Sequence, residues 1–93
     1  MAESRSFPLP DAFDVDVVVY VTPWCSFCAR ARWLLGKRGI AHEVVNVSGN
    51  SEARRWLAEN TGQSTVPQIF IKGRSIGGFA ELAELDRNGE LRL

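Results

Sequence analysis

Val15-Asp-Val-Val-Val-Tyr-Val21 restricts the fold of this chain more than any other stretch. The run is β-branched and aromatic, of strand length, and apolar at nearly every position rather than at alternate ones. A strand of that composition is covered on both faces, as in the interior of an α/β sheet. It is far too short to cross a membrane as a helix, which needs about 20 apolar residues.

Thr22-Pro-Trp24 ends the strand, and the period then changes. From Cys25 to Lys37, Phe27/Cys28, Ala31 and Leu34/Leu35 recur at helical intervals, while Arg30, Arg32 and Lys37 face outward. Gly39 supplies a stop behind Lys37 and Arg38, cations suited to a helix C-terminus. His42 to Val47 alternates as a second strand, and a β-α-β crossover makes the two strands parallel. His42 itself reads as a solvent-facing strand residue.

Ser51 is read as the N-cap of a second helix with Ala53, Trp56 and Leu57 as its apolar stripe and Gly62 as its end. Gln68 to Lys72 forms a third strand entered through Pro67. Gly73 begins a hairpin turn and Ser75-Ile76 returns. Phe79, Leu82 and Leu85 mark a last helix closed by Asn88-Gly89. The predicted order is β-α-β-α-β-β-α, an α/β fold with a four-stranded mixed sheet and three helices covering both faces. Trp33 and Trp56 stand at helical spacing and are read as packing residues.

With 93 residues the chain is one domain, expected over residues 15–93. Residues 1–14, interrupted by Pro8 and Pro10 and rich in acid, read as a polar, flexible N-terminal arm. Eleven Lys and Arg cancel eleven Asp and Glu, which argues against non-specific adhesion to nucleic acid or membrane. No apolar signal segment stands in residues 1–10, and only two cysteines occur. A reducing, cytoplasmic compartment is the expectation.

Those two cysteines, Cys25 and Cys28, form a C-x-x-C where a strand gives way to a helix. Unpaired N–H groups and the positive end of the helix dipole lie at that point, and they favour a thiolate. Cys25 at the helix mouth is therefore the expected nucleophile. Cys28, one turn inside on the apolar face, is the expected resolving thiol. A structural disulfide between residues this close restricts the unfolded chain little. A closed zinc site needs four ligands, and beyond the cysteines only His42 is a strong candidate. Thiol–disulfide redox chemistry is the reading that remains.

Tyr20-Val-Thr-Pro-Trp-Cys-Ser-Phe-Cys28, Thr65-Val-Pro-Gln-Ile-Phe-Ile71 and Ile76-Gly-Gly-Phe79 together resemble the glutaredoxin family. The resemblance implies a thioredoxin-like fold and a glutathione-dependent oxidoreductase that reduces protein–glutathione mixed disulfides and protein disulfides. It implies a cis peptide at Val66-Pro67, with the Val66 backbone as a free edge for an extended thiol peptide. Glutathione contacts are implied at Thr22, Phe27, Arg54, Thr65, Val66, Pro67, Gly78, Phe79 and Ala80. Arg54 would meet the glycyl carboxylate, and residues 78–80 would meet the γ-glutamyl end through helix-start N–H groups. The pattern departs from the family at Thr22, where a Lys is usual, at Ala80-Glu81, and at Ser26-Phe27, where Pro-Tyr is common. Trp24 is either a contact surface or a lid on Pro23.

Partners implied are glutathione and glutathionylated or disulfide-bonded proteins, with the chain a monomer. The alternative is a two-iron two-sulfur cluster module, a glutathione-bridged dimer ligated through Cys25, which Ser26 in place of proline leaves room for. A thioredoxin-like protein using another small thiol is a third reading.

Overall fold

The structure, a computed structural model, describes residues 6–91. Strand β1 (Val17–Val21) lies inside a four-stranded sheet of order β2-β1-β3-β4, where β2 is His42–Asn46, β3 Gln68–Ile71 and β4 Arg74–Gly77. β1 runs parallel to β2 and antiparallel to β3, and β3 pairs antiparallel with β4. All five residues of β1 are buried, as its unbroken apolarity requires.

Alternation divides those five residues between two cores. Val17, Val19 and Val21 pack with Cys28, Ala31 and Leu35 of α1 (Ser26–Lys37) and Leu82 of α3 (Phe79–Arg87). Val18 and Tyr20 pack on the other face with Ala53 and Leu57 of α2 (Ser51–Thr61) and with Phe70. Arg38, just past α1, reaches α3 through a bidentate pair with Asp86 at 2.7 and 3.0 Å. The expected element order and helix-covered mixed sheet are both present, a thioredoxin-like arrangement.

Several boundaries differ for local reasons. Asn50, not Ser51, caps α2, its side chain accepting from the Ala53 N–H at 3.0 Å. The β3–β4 turn consists of Lys72 and Gly73, with φ of 53° and 80°, the two positive values a type I′ hairpin needs. Trp56 packs as expected, tilted against Tyr20 and Phe70. Trp33 does not: it is 64% exposed, because it falls on the side of α1 opposite Cys28, Ala31 and Leu35. His42 is half-buried, with Nδ1 2.9 Å from the Ile40 carbonyl.

The expected flexible arm needs a larger correction. Residues 1–5 of it, and 92–93 of the expected domain, lie outside the described residues. Within 6–14, Phe7 is buried against Tyr20 and Trp56, and Leu9 and Phe13 pack on the same cluster. The Tyr20 hydroxyl donates to the Pro8 carbonyl at 2.9 Å, and a short 3-10 turn forms at Pro10–Ala12. An aromatic cluster on the α2 face takes up this segment because the sheet alone does not cover it.

Candidate active site

Thr22-Pro-Trp24 carries the chain from β1 into α1, and Cys25 is the N-cap of that helix. Its backbone is extended, and its Sγ accepts a hydrogen bond from the Cys28 N–H at 3.1 Å. A sulfur thus takes the capping role usually held by a side-chain oxygen. On its other side the Cys25 thiol donates to the Val66 carbonyl at 3.7 Å. Cys25 is half-exposed, Cys28 is 2% exposed, and both are free thiols.

Burial pushes the Cys28 thiol up to about 12, and its hydrogen bond with Cys25 adds to the rise. Opposing these are a backbone contact from Thr22 and the charge of Arg32. Arg32 follows Cys28 by four residues and so stands on the same side of α1. It lines a hollow of about 280 Å³ with Cys25, Cys28, Thr22 and Asn46. Arg32 was legible only as an outward-facing cation, although its i+4 relation to Cys28 is the signal that places it here.

Beyond Val66, whose carbonyl the Cys25 thiol meets, lies a groove of about 260 Å³ that Cys25 itself does not line. Phe27, Thr65, Val66, Pro67, Gly78, Phe79 and Ala80 all line it, bringing together seven residues from three separated motifs. The Val66–Pro67 peptide is cis. The Phe27 and Phe79 rings form one wall, 6.1 Å apart at 35°. A Cβ on Gly78 would lie 3.2 Å from the Pro67 carbonyl oxygen, a tight contact that the Pro67 backbone would have to ease by a few tenths of an ångström. Thr22 belongs to the hollow on the other side, and Arg54, half-buried in the first turn of α2, borders neither cavity.

Three groove residues were not foreseen. Gln68 is buried on β3, its Nε2 donating to Gln63 Oε1 and Thr65 Oγ1 at 3.3 and 3.4 Å, while its Oε1 has no described partner. A buried acceptor in that state costs about 1–3 kcal/mol unless something donates to it. Glu81 supplies the third surprise. Its Oε1 accepts from the Gly78 N–H at 2.8 Å, so one N–H expected to await a carboxylate already has one. Trp24 is 97% exposed, which makes it a surface beside the nucleophile and not a lid.

No group of three or more His, Cys, Asp or Glu side chains is placed to hold a metal ion among the described residues. Cys25 is the one accessible thiol, so an iron–sulfur centre could take a single protein ligand from this chain and would depend on donors from outside it.

The glutaredoxin family model matches residues 17–76. A glutaredoxin of Pseudomonas aeruginosa is 41% identical over 75 residues, 81% of this chain and 89% of that protein. Glutaredoxin 3 of Escherichia coli is 37% identical over 76 residues, 82% of this chain and 92% of its own length. Among solved structures, the holo form of glutaredoxin C1 from Populus tremula x tremuloides superposes with a TM-score of 0.78 at 35% identity, covering 83% of this chain and 79% of that one. A buckwheat glutaredoxin–glutathione complex gives 0.77 at 31% identity, covering 83% and 73%.

Proposed function

Because the chain belongs to the glutaredoxin family, we propose that it is a glutathione-dependent thiol–disulfide oxidoreductase acting on protein–glutathione mixed disulfides and on protein disulfides. The asymmetry of the two sulfurs carries this reading. Cys25 is reachable and fixed between the Cys28 N–H and the Val66 carbonyl, whereas Cys28 is buried and held as a thiol. One sulfur can attack a bulky disulfide, and the other can be reached only by Cys25.

In the first step the Cys25 thiolate attacks the glutathione sulfur of a protein–glutathione disulfide. The Cys25–glutathione disulfide forms, and the protein sulfur leaves as a thiolate that takes a proton from water. A second glutathione thiolate then attacks the glutathione sulfur held on Cys25. Oxidised glutathione leaves and the Cys25 thiolate is restored. With a protein disulfide, the Cys25 thiolate attacks one substrate sulfur, the substrate S–S bond breaks, and the other sulfur leaves as a thiolate. Cys28 gives its proton to that thiolate and attacks the Cys25 sulfur, so the first substrate sulfur leaves in turn and the Cys25–Cys28 pair is oxidised. Two glutathione thiols then reduce the pair and leave as oxidised glutathione.

Glutathione is an extended tripeptide thiol, and the groove offers what such a ligand needs. The Val66 backbone supplies an edge beside Cys25, Phe27 and Phe79 supply an apolar wall, and the start of α3 supplies N–H groups. That a fold-similar glutaredoxin was solved as a glutathione complex supports the same occupant here. Cys25→Ser should abolish turnover of every substrate. Cys28→Ser should keep reduction of glutathione mixed disulfides and lose reduction of protein disulfides. Equal loss of mixed-disulfide activity in both variants would refute the assignment of roles.

A further inference from the structure

Large apolar side chains left in solvent are ordinarily scattered over a surface. Here Trp24 (97% exposed), Phe27 (53%) and Trp33 (64%) all lie on the active-site turn or on α1. α1 turns Cys28, Ala31, Leu34 and Leu35 toward the core. The opposite line of the helix therefore runs through Ser26, Arg30, Trp33 and Lys37, all exposed, at successive intervals of four, three and four residues. It begins beside the nucleophile and extends about 16 Å along the axis.

The line is also cationic. α1 contains no acidic residue, and two of its cations, Arg30 and Lys37, stand on the line in a chain whose net charge is +0, while Arg32 stands on the Cys28 side. Neither Arg30 nor Lys37 forms a salt bridge among the described residues; each instead covers an aromatic ring. The Arg30 guanidinium lies 5.3 Å from the centre of the Phe27 ring, and the Lys37 ammonium 4.9 Å from that of Trp33. Asp86 senses the charge of Lys37, but both of its oxygens are engaged by Arg38. Exposed cations seated on exposed rings present a surface that is apolar and positive together.

Resting on the oxidoreductase reading above, we infer that this line is a docking strip for the polypeptide of a protein substrate, and that the segment it takes carries Asp or Glu within about five residues of the reacting cysteine. An extended peptide covers about 16 Å in five residues, the length of the strip. An apolar side chain between two acids matches the order Arg30, Trp33, Lys37. A protein is favoured over a nucleic acid because the strip starts at a sulfur whose chemistry requires a sulfur partner.

The test pairs turnover with binding. Glutathionylated peptides with acidic or lysine flanks are compared with the mixed disulfide of glutathione and cysteamine, in the wild type and in Trp33→Ala/Lys37→Glu. The wild type should favour the acidic peptide about tenfold in kcat/KM at low ionic strength, and the ratio should fall toward one in about 1 M salt. The double variant should reduce it to about twofold and leave cysteamine–glutathione turnover unchanged. A non-reacting acidic peptide, with Ser for Cys, should quench tryptophan fluorescence in the wild type and not in the variant. Equal turnover of both peptides by the wild type, or a preference that stays near tenfold in the variant, overturns the strip. So does tighter binding of a single-stranded oligonucleotide than of the acidic peptide. Binding of the acidic peptide without turnover of any glutathione disulfide would sustain the strip and overturn the oxidoreductase reading.

Discussion

Cys28 shows how one turn of helix separates two thiols of identical chemistry. Burial is the main cause of its raised pKa, and burial persists when Cys25 is tied up in a mixed disulfide, although the hydrogen bond between the sulfurs does not. The resolving step needs the Cys28 thiolate, whose fraction grows about tenfold per pH unit well below the pKa. Formation of the Cys25–Cys28 disulfide should therefore accelerate steadily from pH 6 to 9 with no plateau, as stopped-flow tryptophan fluorescence would follow. Arg32→Gln removes a charge that pulls this thiol down, so it should slow the step across the same range. A rate that levels off near pH 7 would mean the thiol is not held up. The same shift enters stability. An unfolded thiol ionises near 8.5 while the folded one stays protonated to about 12, so the reduced fold retains the proton that the unfolded chain loses. That contribution is complete below about pH 8.5 and declines as the pH rises toward 12, by about 1.4 kcal/mol per unit. Cys28→Ala should lose this decline, and the difference between the two proteins isolates it from other titrating groups.

The start of α3 is where local sequence and tertiary fit constrain each other most tightly. Gly77 has φ +109°, and a Cβ there would meet the Glu81 side chain at 2.7 to 2.9 Å. Gly77→Ala should cost about 1–3 kcal/mol, combining backbone strain with the displacement of Glu81 from the Gly78 N–H. Combining it with Glu81→Ala should recover the steric part and leave the backbone part. Urea unfolding of the two single variants and the double should thus be non-additive; strict additivity would show that the contact carries no energy. Most elements were legible because their periods are unambiguous: β1 from its unbroken apolarity, α1 from Cys28, Ala31 and Leu35. Trp33 was legible in phase but was misread by hydrophobicity, since its position on α1 points away from the core whatever its side chain. The groove motifs were legible as segments. The pairing of Glu81 with Gly78, the orphaned acceptor of Gln68 and the absence of Arg54 from the groove walls depend on how α2, β3 and α3 meet, which no local pattern encodes.

At the scale of the whole molecule, the segment from Ser6 to Phe13 belongs to the fold although it lies ahead of every regular element. It has no helical or alternating period, so its sequence reads as an arm; only the aromatic surface of Tyr20, Trp56 and Phe70 gives Phe7 a place. Ser6 adds a polar fastening to α2, its hydroxyl donating to Glu52 Oε1 at 2.6 Å and its backbone N–H to the same oxygen at 3.2 Å. Tyr20 is buried at the centre of the cluster, where burial and then Asp11 push its phenol up, and its hydroxyl has the Pro8 carbonyl as acceptor. A domain of 93 residues has a small core, so one well-buried ring is a large share of it. Phe7→Ala should cost about 3 kcal/mol, within the range for truncating a buried Phe, and lower Tm by roughly 15 °C. Tyr20→Phe should cost only about 1 kcal/mol, because it removes one hydrogen bond while the exposed Pro8 can turn to water. Calorimetry on both variants tests the packing directly. An unchanged Tm for Phe7→Ala would mean that the segment lies on the fold without holding it. Cysteamine–glutathione turnover at 25 °C should survive in both variants, since neither side chain reaches the groove or the sulfur pair.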